Sequence, residues 1–198
     1  MHDSSAPGFL APTGAPVPYD DALDDALHDI LAGIGGYTDP AMLRPRWQPE
    51  PPNQPDFADD WLAFGVVRTD PDTFMWEGHD PAGDGGAGQD VAELSELVDV
   101  LMSFYGPRAQ GFCEILRMGL QIEQNRAALN VLHMDVVAVG APIIVPALLK
   151  NRWVRRVDAT VTLRRRVQRT YAVRNLLSLA DPVPQALAGS TLSIVIKT

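Results

Sequence analysis

The segment His79-Asp80-Pro81-Ala82-Gly83-Asp84-Gly85 is where residue types and spacing in this sequence come nearest to chemistry. Counted from Asp80, it imitates the opening of a calcium-binding loop, whose alternate oxygen ligands and sixth-position glycine wrap a hard cation. The imitation breaks at two positions. Ala82 stands at the third, where an oxygen ligand is needed, and Val91 stands where the bidentate glutamate belongs. Two readings stay open for His79, Asp80 and Asp84. One gathers them around an ion, as in a small metal-binding hydrolase. The other makes them the tip of a flexible loop, with glycines supplying positive φ and polar side chains touching a partner. The other histidines, His2, His28 and His133, are scattered singly and read as surface or packing residues. Nucleophile elbows, Walker A loops, dinucleotide fingerprints and H-E-x-x-H pairs do not occur, so neither a catalytic centre nor a cofactor is expected. Cys113 is the single cysteine, which excludes an internal disulfide and any multi-cysteine zinc site. Beside Phe112 and Ile115 it reads as a buried thiol acting as a small apolar group.

The second feature with chemical content is basic. Arg155-Arg156 and Arg164-Arg165-Arg166, with Arg169 and Arg174, form a stripe in a segment of strand-like alternation. Neighbours on a strand point to opposite faces, so Arg164 and Arg166 share one side and Arg165 takes the other. Arg155, Arg156, Arg164 and Arg166 are the candidate contact residues. They could line a channel carrying DNA, where phosphate contact is independent of sequence. They could equally pair with acids such as Asp158 or those of the helix near Asp20, and the scarcity of aromatics among them favours that protein pairing.

Elements must hold these residues in place. Residues 1–18 are rich in Pro, Gly, Ser and Ala, lack the regions of a signal peptide and read as a mobile arm. Residues 20–34 read as a helix, with Leu23, Leu27, Ile30, Leu31 and Ile34 at helical spacing and Gly35-Gly36 as its stop. Residues 37–60 carry six prolines and read as an extended connector without regular structure, anchored by Trp47. A strand is expected over 61–68, then a long loop over 69–91, and a strand through Val98, Val100, Met102 and Phe104. A helix over 108–121 should turn Phe112, Ile115 and Leu116 inward. A helical turn over 125–132, a strand over 134–139 and a connector over 140–151 follow. The most regular alternation runs over 153–166: Trp153, Arg155, Val157, Ala159, Val161 and Leu163 on one face, polar residues on the other. Residues 190–197 add a candidate last strand. This order implies an α+β fold, a small mostly antiparallel sheet with helices on one face, over residues 61–198. Residues 19–60 supply the preceding helix and connector.

The net charge of −9 conceals a split. Acidic residues outnumber basic ones 20 to 3 in residues 1–100, while basic outnumber acidic 13 to 5 in residues 101–198. That distribution argues against a uniformly basic nucleic-acid binder and permits the acidic part of one copy to meet the basic part of another. The alternative is that the acidic half holds solvated loops. No stretch approaches the roughly 18 apolar residues of a membrane span.

Four pieces of the sequence, taken in order, carry a resemblance. They are Leu97-Val98-Asp99-Val100-Leu101-Met102-Ser103-Phe104-Tyr105-Gly106 before a helix, the Gln124-Asn125-Arg126 turn, Pro146-Ala147-Leu148-Leu149-Lys150-Asn151-Arg152-Trp153 leading into Arg155-Arg156, and Thr160-Val161-Thr162-Leu163-Arg164-Arg165. Together they resemble the phage neck terminator and tail-completion family over about residues 61–177. The resemblance implies a structural virion protein of a tailed bacteriophage, not an enzyme, whose copies form a ring, typically six-membered. Such a ring sits between the head-side connector and the tail tube, caps the tube and meets both partners. The channel of such a ring could touch DNA without sequence preference. A head-closure or tail-tube protein is the alternative within the same junction.

Overall fold

The computed structural model describes residues 3–48, 53, 55–81, 86–149 and 151–176. Two 17-residue strands form its spine: β4 (Gln89–Tyr105) and β9 (Arg156–Ala172), paired antiparallel from Gln89↔Ala172 to Tyr105↔Arg156. At about 3.3 Å per residue the spine is roughly 55 Å long. On one side of β4 lie β2 (Trp61–Pro71) and the short β3 (Trp76–Asp80), and beyond β2 lies β1 (Leu43–Pro45), paired with it in parallel. On the far side of β9 lie β5 (Met134–Val139) and β6 (Ile143–Ile144). A separate hairpin, β7 (Ala147–Leu149) and β8 (Arg152–Val154), interrupts the chain just before β9. The helices are α1 (Asp20–Gly35), α2 (Ala109–Gly119) and α3 (Glu123–Asn130). The described residues thus form the expected α+β fold with a mostly antiparallel sheet.

The period-2 positions decide which face is covered. Leu62 and Phe64 of β2, Val98, Val100, Met102 and Phe104 of β4, and Val157, Ala159, Val161 and Leu163 of β9 are all buried in one cluster. Leu23, Leu27 and Leu31 of α1 and Cys113 and Leu116 of α2 close that cluster from above. Burying each such aliphatic side chain contributes about 1.5–3 kcal/mol, which is why a narrow stripe suffices to hold α1. The helix stops where Gly36 takes φ 66 and its N–H donates to the Ala32 carbonyl.

Gly106 joins the sheet to α2. Its φ is 112, and a Cβ there would lie 2.4 Å from the Asp59 carbonyl oxygen, so only glycine fits. Asp60 then caps α2 from a distance: its carboxylate accepts from the Arg108 backbone N–H at 2.6 Å and from Arg108 Nε at 2.7 Å. At the other end of α2, Asn125 Nδ2 donates to the Gly119 carbonyl at 2.9 Å.

Several expectations are corrected. The connector over 37–60 holds a 3-10 turn (Pro40–Met42) and β1, because an edge strand can tolerate prolines that a central one cannot. Trp47 anchors nothing and is 76% exposed. The long loop over 69–91 is instead the end of β2, the strand β3 and the start of β4. Ile115 faces outward at 51% exposure. The strand expected from Trp153 begins at Arg156, and residues 140–151 contain β6 and β7. The candidate last strand over 190–197 lies outside the described residues. Residues 3–18, read from composition as an arm, lie beside the end of β9: Thr13 N–H donates to the Thr170 carbonyl at 2.6 Å, and Asp3 pairs with Arg174 at 2.9 Å. Since β5 reaches only as far as Arg165 on that edge, this segment covers part of what β5 leaves free.

Candidate assembly surfaces

The uncovered face of the sheet carries the even-numbered side chains of β9 and the odd-numbered ones of β4, and it places the candidate arginines beside acids. Arg156 forks onto Asp158, Nε to Oδ1 at 2.8 Å and Nη2 to Oδ2 at 2.7 Å. Its guanidinium also lies 5.6 Å from the Tyr105 ring centroid, and Tyr105 in turn stacks on Trp61 at 4.1 Å. Arg164 pairs with Asp72 at 2.7 Å, and Arg166 approaches Glu93 at 3.9 Å. Arg68 pairs with Asp70, and Thr162 donates to Asp99 at 2.6 Å. The face is therefore laddered with both signs rather than uniformly positive. The exposed pairs among these contribute little stability each, about 0–1 kcal/mol, whereas Arg156 and Asp158 are half-buried. Arg155 stands apart: it is exposed and makes no ion pair among the described residues.

Arg165 takes the opposite face, as the alternation requires, and there it is 1% exposed. It packs beside Glu96, which is also buried, and donates Nε to Glu96 Oε1 at 2.7 Å. Nη1 donates to the Pro18 carbonyl at 2.6 Å, the Tyr19 hydroxyl donates to Glu96 Oε2 at 3.2 Å, and the guanidinium lies 4.3 Å from the Tyr19 ring centroid. This cluster fixes the entry of α1 onto the sheet. Parity alone marks Arg165 and Glu96 as charges on apolar faces, but only the β4–β9 register makes them neighbours.

His79 lies on β3, between two acceptors. Nδ1 is 2.6 Å from Asp90 Oδ1 and Nε2 is 2.7 Å from Asn175 Oδ1. Asn175 Nδ2 donates to the Pro81 and Ala87 carbonyls, which fixes the amide with its oxygen toward the imidazole. Both ring nitrogens therefore donate, which is the protonated form. The hydrogen bond to Asp90, then that to Asn175, raises the His79 pKa. An imidazole engaged in this way offers no lone pair to a metal. Asp80 accepts from Gln89 Nε2 at 3.1 Å, and Asp84 lies outside the described residues. Among the described residues no group of three His, Cys, Asp or Glu side chains is placed to hold a metal ion.

Large apolar side chains that stand in solvent concentrate on projecting elements. Phe74, Met75 and Trp76 form the turn into β3, Ile143 and Ile144 form β6, and Leu148 and Trp153 lie on the β7–β8 hairpin. Met118 and Ile122 add a patch at the end of α2. Exposed apolar sets of this kind mark contact surfaces on proteins that work in assemblies. Sequence reading put Phe74, Met75, Trp76, Ile143, Ile144 and Leu148 in loops or connectors and Trp153 on a buried face, and gave Met118 and Ile122 no role. For Leu148 and Trp153 the signal lay in two strand-like triplets, Ala147–Leu149 and Arg152–Val154, separated by two residues of which Asn151 is left-handed.

The sequence matches the phage neck terminator protein family over residues 21–186, and the chain belongs to that family. It is a structural protein of the phage neck. No curated protein matches the chain. Two of the motifs quoted for the resemblance meet in space: Gly106 N–H donates to the Arg155 carbonyl at 3.2 Å, where the end of β4 adjoins the start of β9.

Proposed function

We propose that the chain is a ring subunit of the virion at the head–tail junction, where it ends the tail tube and joins it to the head connector. It works through surfaces and carries no catalytic centre. The observation that carries this reading is the placement of bulky apolar side chains on projecting elements toward both ends of a 17-residue strand pair. The projections supply the contact area that a specific interface needs. The partners are further copies of the chain, the tail-tube protein and the head-completion protein. The charge-laddered face suits exchange of ion pairs with protein more than it suits a DNA-lined channel, since Arg156, Arg164 and Arg166 each already face a carboxylate.

Light scattering on the purified full chain, alone and with tail-tube and connector proteins, tests the reading, with negative-stain microscopy to show ring shape. Discrete closed oligomers and tubes of arrested length are expected. A chain that stays monomeric under all three conditions refutes it. Replacing Arg164 and Arg166 together with Glu separates the two roles of the stripe: failed assembly marks protein contact, whereas intact rings with poor DNA retention mark a channel lining.

A further inference from the structure

Strand β8, Phe57 and the Gly106-Pro107 corner enclose an open cleft of about 430 Å³. Arg152, Trp153 and Arg155 line it, and among the described residues no carboxylate does. Arg152 lies 5.0 Å from the Phe57 ring centroid, and Trp153 is exposed. Neither Arg152 nor Arg155 makes an ion pair among the described residues. β8 pairs only with β7 among them, so one of its edges is free. The cleft thus sets two guanidinium groups without counter-charges beside two aromatic rings.

A surface of complementary character sits toward the other end of the spine. Phe74, Met75 and Trp76 stand in solvent in the turn into β3, and Phe74 is fully exposed. The Trp76 indole lies over Gly78, which has no Cβ to displace it. Glu77 follows, exposed and without an ion pair among the described residues. β3 pairs only with β4 among them, so it too keeps a free edge. Successive strand residues point to opposite faces, so β3 entering a cleft edge-on offers the indole to one wall and the carboxylate to the other. The two surfaces cannot meet within one copy. Trp76 registers with Glu93, whereas the cleft adjoins Tyr105, twelve residues further along β4 and roughly 40 Å away at 3.3 Å per residue.

We propose that the Phe74–Glu77 turn of one copy of this chain docks edge-on into the Arg152–Trp153–Arg155 cleft of a second copy. The inference rests on the ring-subunit reading and names the contact that builds the ring. Charge selects the occupant: Glu77 is a carboxylate without a cation, and Arg152 and Arg155 are cations without a carboxylate. The apolar parts match as well, since Phe74 and Trp76 bring rings that stack on Trp153 or over a guanidinium. Two unlike patches toward opposite ends of one molecule make a heterologous contact, which closes into a ring when the rotation between copies permits. Nucleic acid suits the cleft less, because two arginines neutralise few phosphates and a net charge of −9 repels the rest.

Two full-length variants test it, Phe74→Ser/Trp76→Ser in the turn and Trp153→Ala/Arg155→Ala in the cleft. All four side chains are exposed, and circular dichroism checks that each variant is folded. Sedimentation velocity, under the condition that assembles the unmodified chain, should show each variant associating at least tenfold more weakly. An equimolar mixture should recover dimers and nothing larger, since one intact turn and one intact cleft make a single junction. Glu77→Arg should weaken assembly as well, and adding Arg152→Glu/Arg155→Glu to the same chain should restore it. Normal assembly by either double variant, a mixture that recovers nothing, or a charge swap that restores nothing shows the contact to be wrong and leaves the ring reading standing. Weaker binding of a short DNA duplex by the cleft variant, with assembly unchanged, would overturn the proposal in favour of a nucleic-acid contact. If the unmodified chain never oligomerises, alone or with tube and connector proteins, the ring reading fails and takes this contact with it.

Discussion

Replacing Arg165 with Met strands Glu96 inside the protein, and the size of the loss can be worked from the contacts. Glu96 would lose the guanidinium that it meets through both Nε and Nη2 and keep only the Tyr19 hydroxyl, 3.2 Å away. Removing one partner of a buried pair costs about 3–5 kcal/mol, because the remaining charge is desolvated and uncompensated. For a chain of this length each kcal/mol shifts Tm by about 2–4 °C, so a fall of roughly 6–20 °C is expected. Glu96→Leu should do comparable damage by leaving Arg165 buried with only the Pro18 carbonyl as acceptor. The double variant Glu96→Leu/Arg165→Met removes both charges and should recover much of the loss, since apolar replacement of a whole buried pair is often neutral. Thermal melts of the four proteins complete the cycle. Amide exchange at Thr13 adds a local readout, because freeing Pro18 should loosen the segment that Thr13 fastens to Thr170. Losses that simply add in the double variant, or a single-variant loss below about 1 kcal/mol, would refute the buried-pair reasoning.

Asp60→Ala removes the carboxylate that accepts from the Arg108 N–H at the start of α2, and chemical denaturation should register a loss of about 0.5–2 kcal/mol. Burial pushes the Cys113 thiol up to about 11 from an ordinary 9.0, so its thiolate fraction at pH 8 is about a hundredfold lower than that of a free cysteine. Alkylation kinetics should show a thiol inert in the folded protein and reactive only on unfolding. His79, held above its ordinary 6.5 by Asp90 and Asn175, contributes stability that is fully present below about 6.5 and lost as pH rises through its raised folded value. NMR titration of the ring, with amide exchange at Asn175, should follow that loss, and Asp90→Asn should remove most of the raised pKa.

Local periodicity made the core legible. Leu23, Leu27 and Leu31 read as a helix stripe, and Val98 to Phe104 and Val157 to Leu163 read as half-buried strands, because side-chain direction follows from backbone geometry within one element. Where packing partners come from elsewhere, reading failed. Ile115 looked inward from composition, yet α2 is rotated so that Ala109, Cys113 and Leu116 face the core. The loop over 69–91 carries Pro71 and a glycine cluster that argue against a strand, but β4 extends far enough to template β3 beside it. The proline connector found a strand at the sheet edge for a similar reason, since β2 offered a free side to Leu43.

What the sequence by itself determined was the class of fold, the buried faces of the strand segments around Val98–Phe104 and Val157–Leu163, the absence of recognised catalytic motifs, and the resemblance to the neck terminator family. These follow from nearest neighbours along the chain and from residue type. Tertiary structure alone decided which charges meet. Arg164 and Arg166 acquired Asp72 and Glu93, Arg165 acquired Glu96 and the entry to α1, and His79 acquired Asn175 from 96 positions away. A strand register joins residues across distances that no local pattern encodes, and a shift of one residue would exchange the two faces.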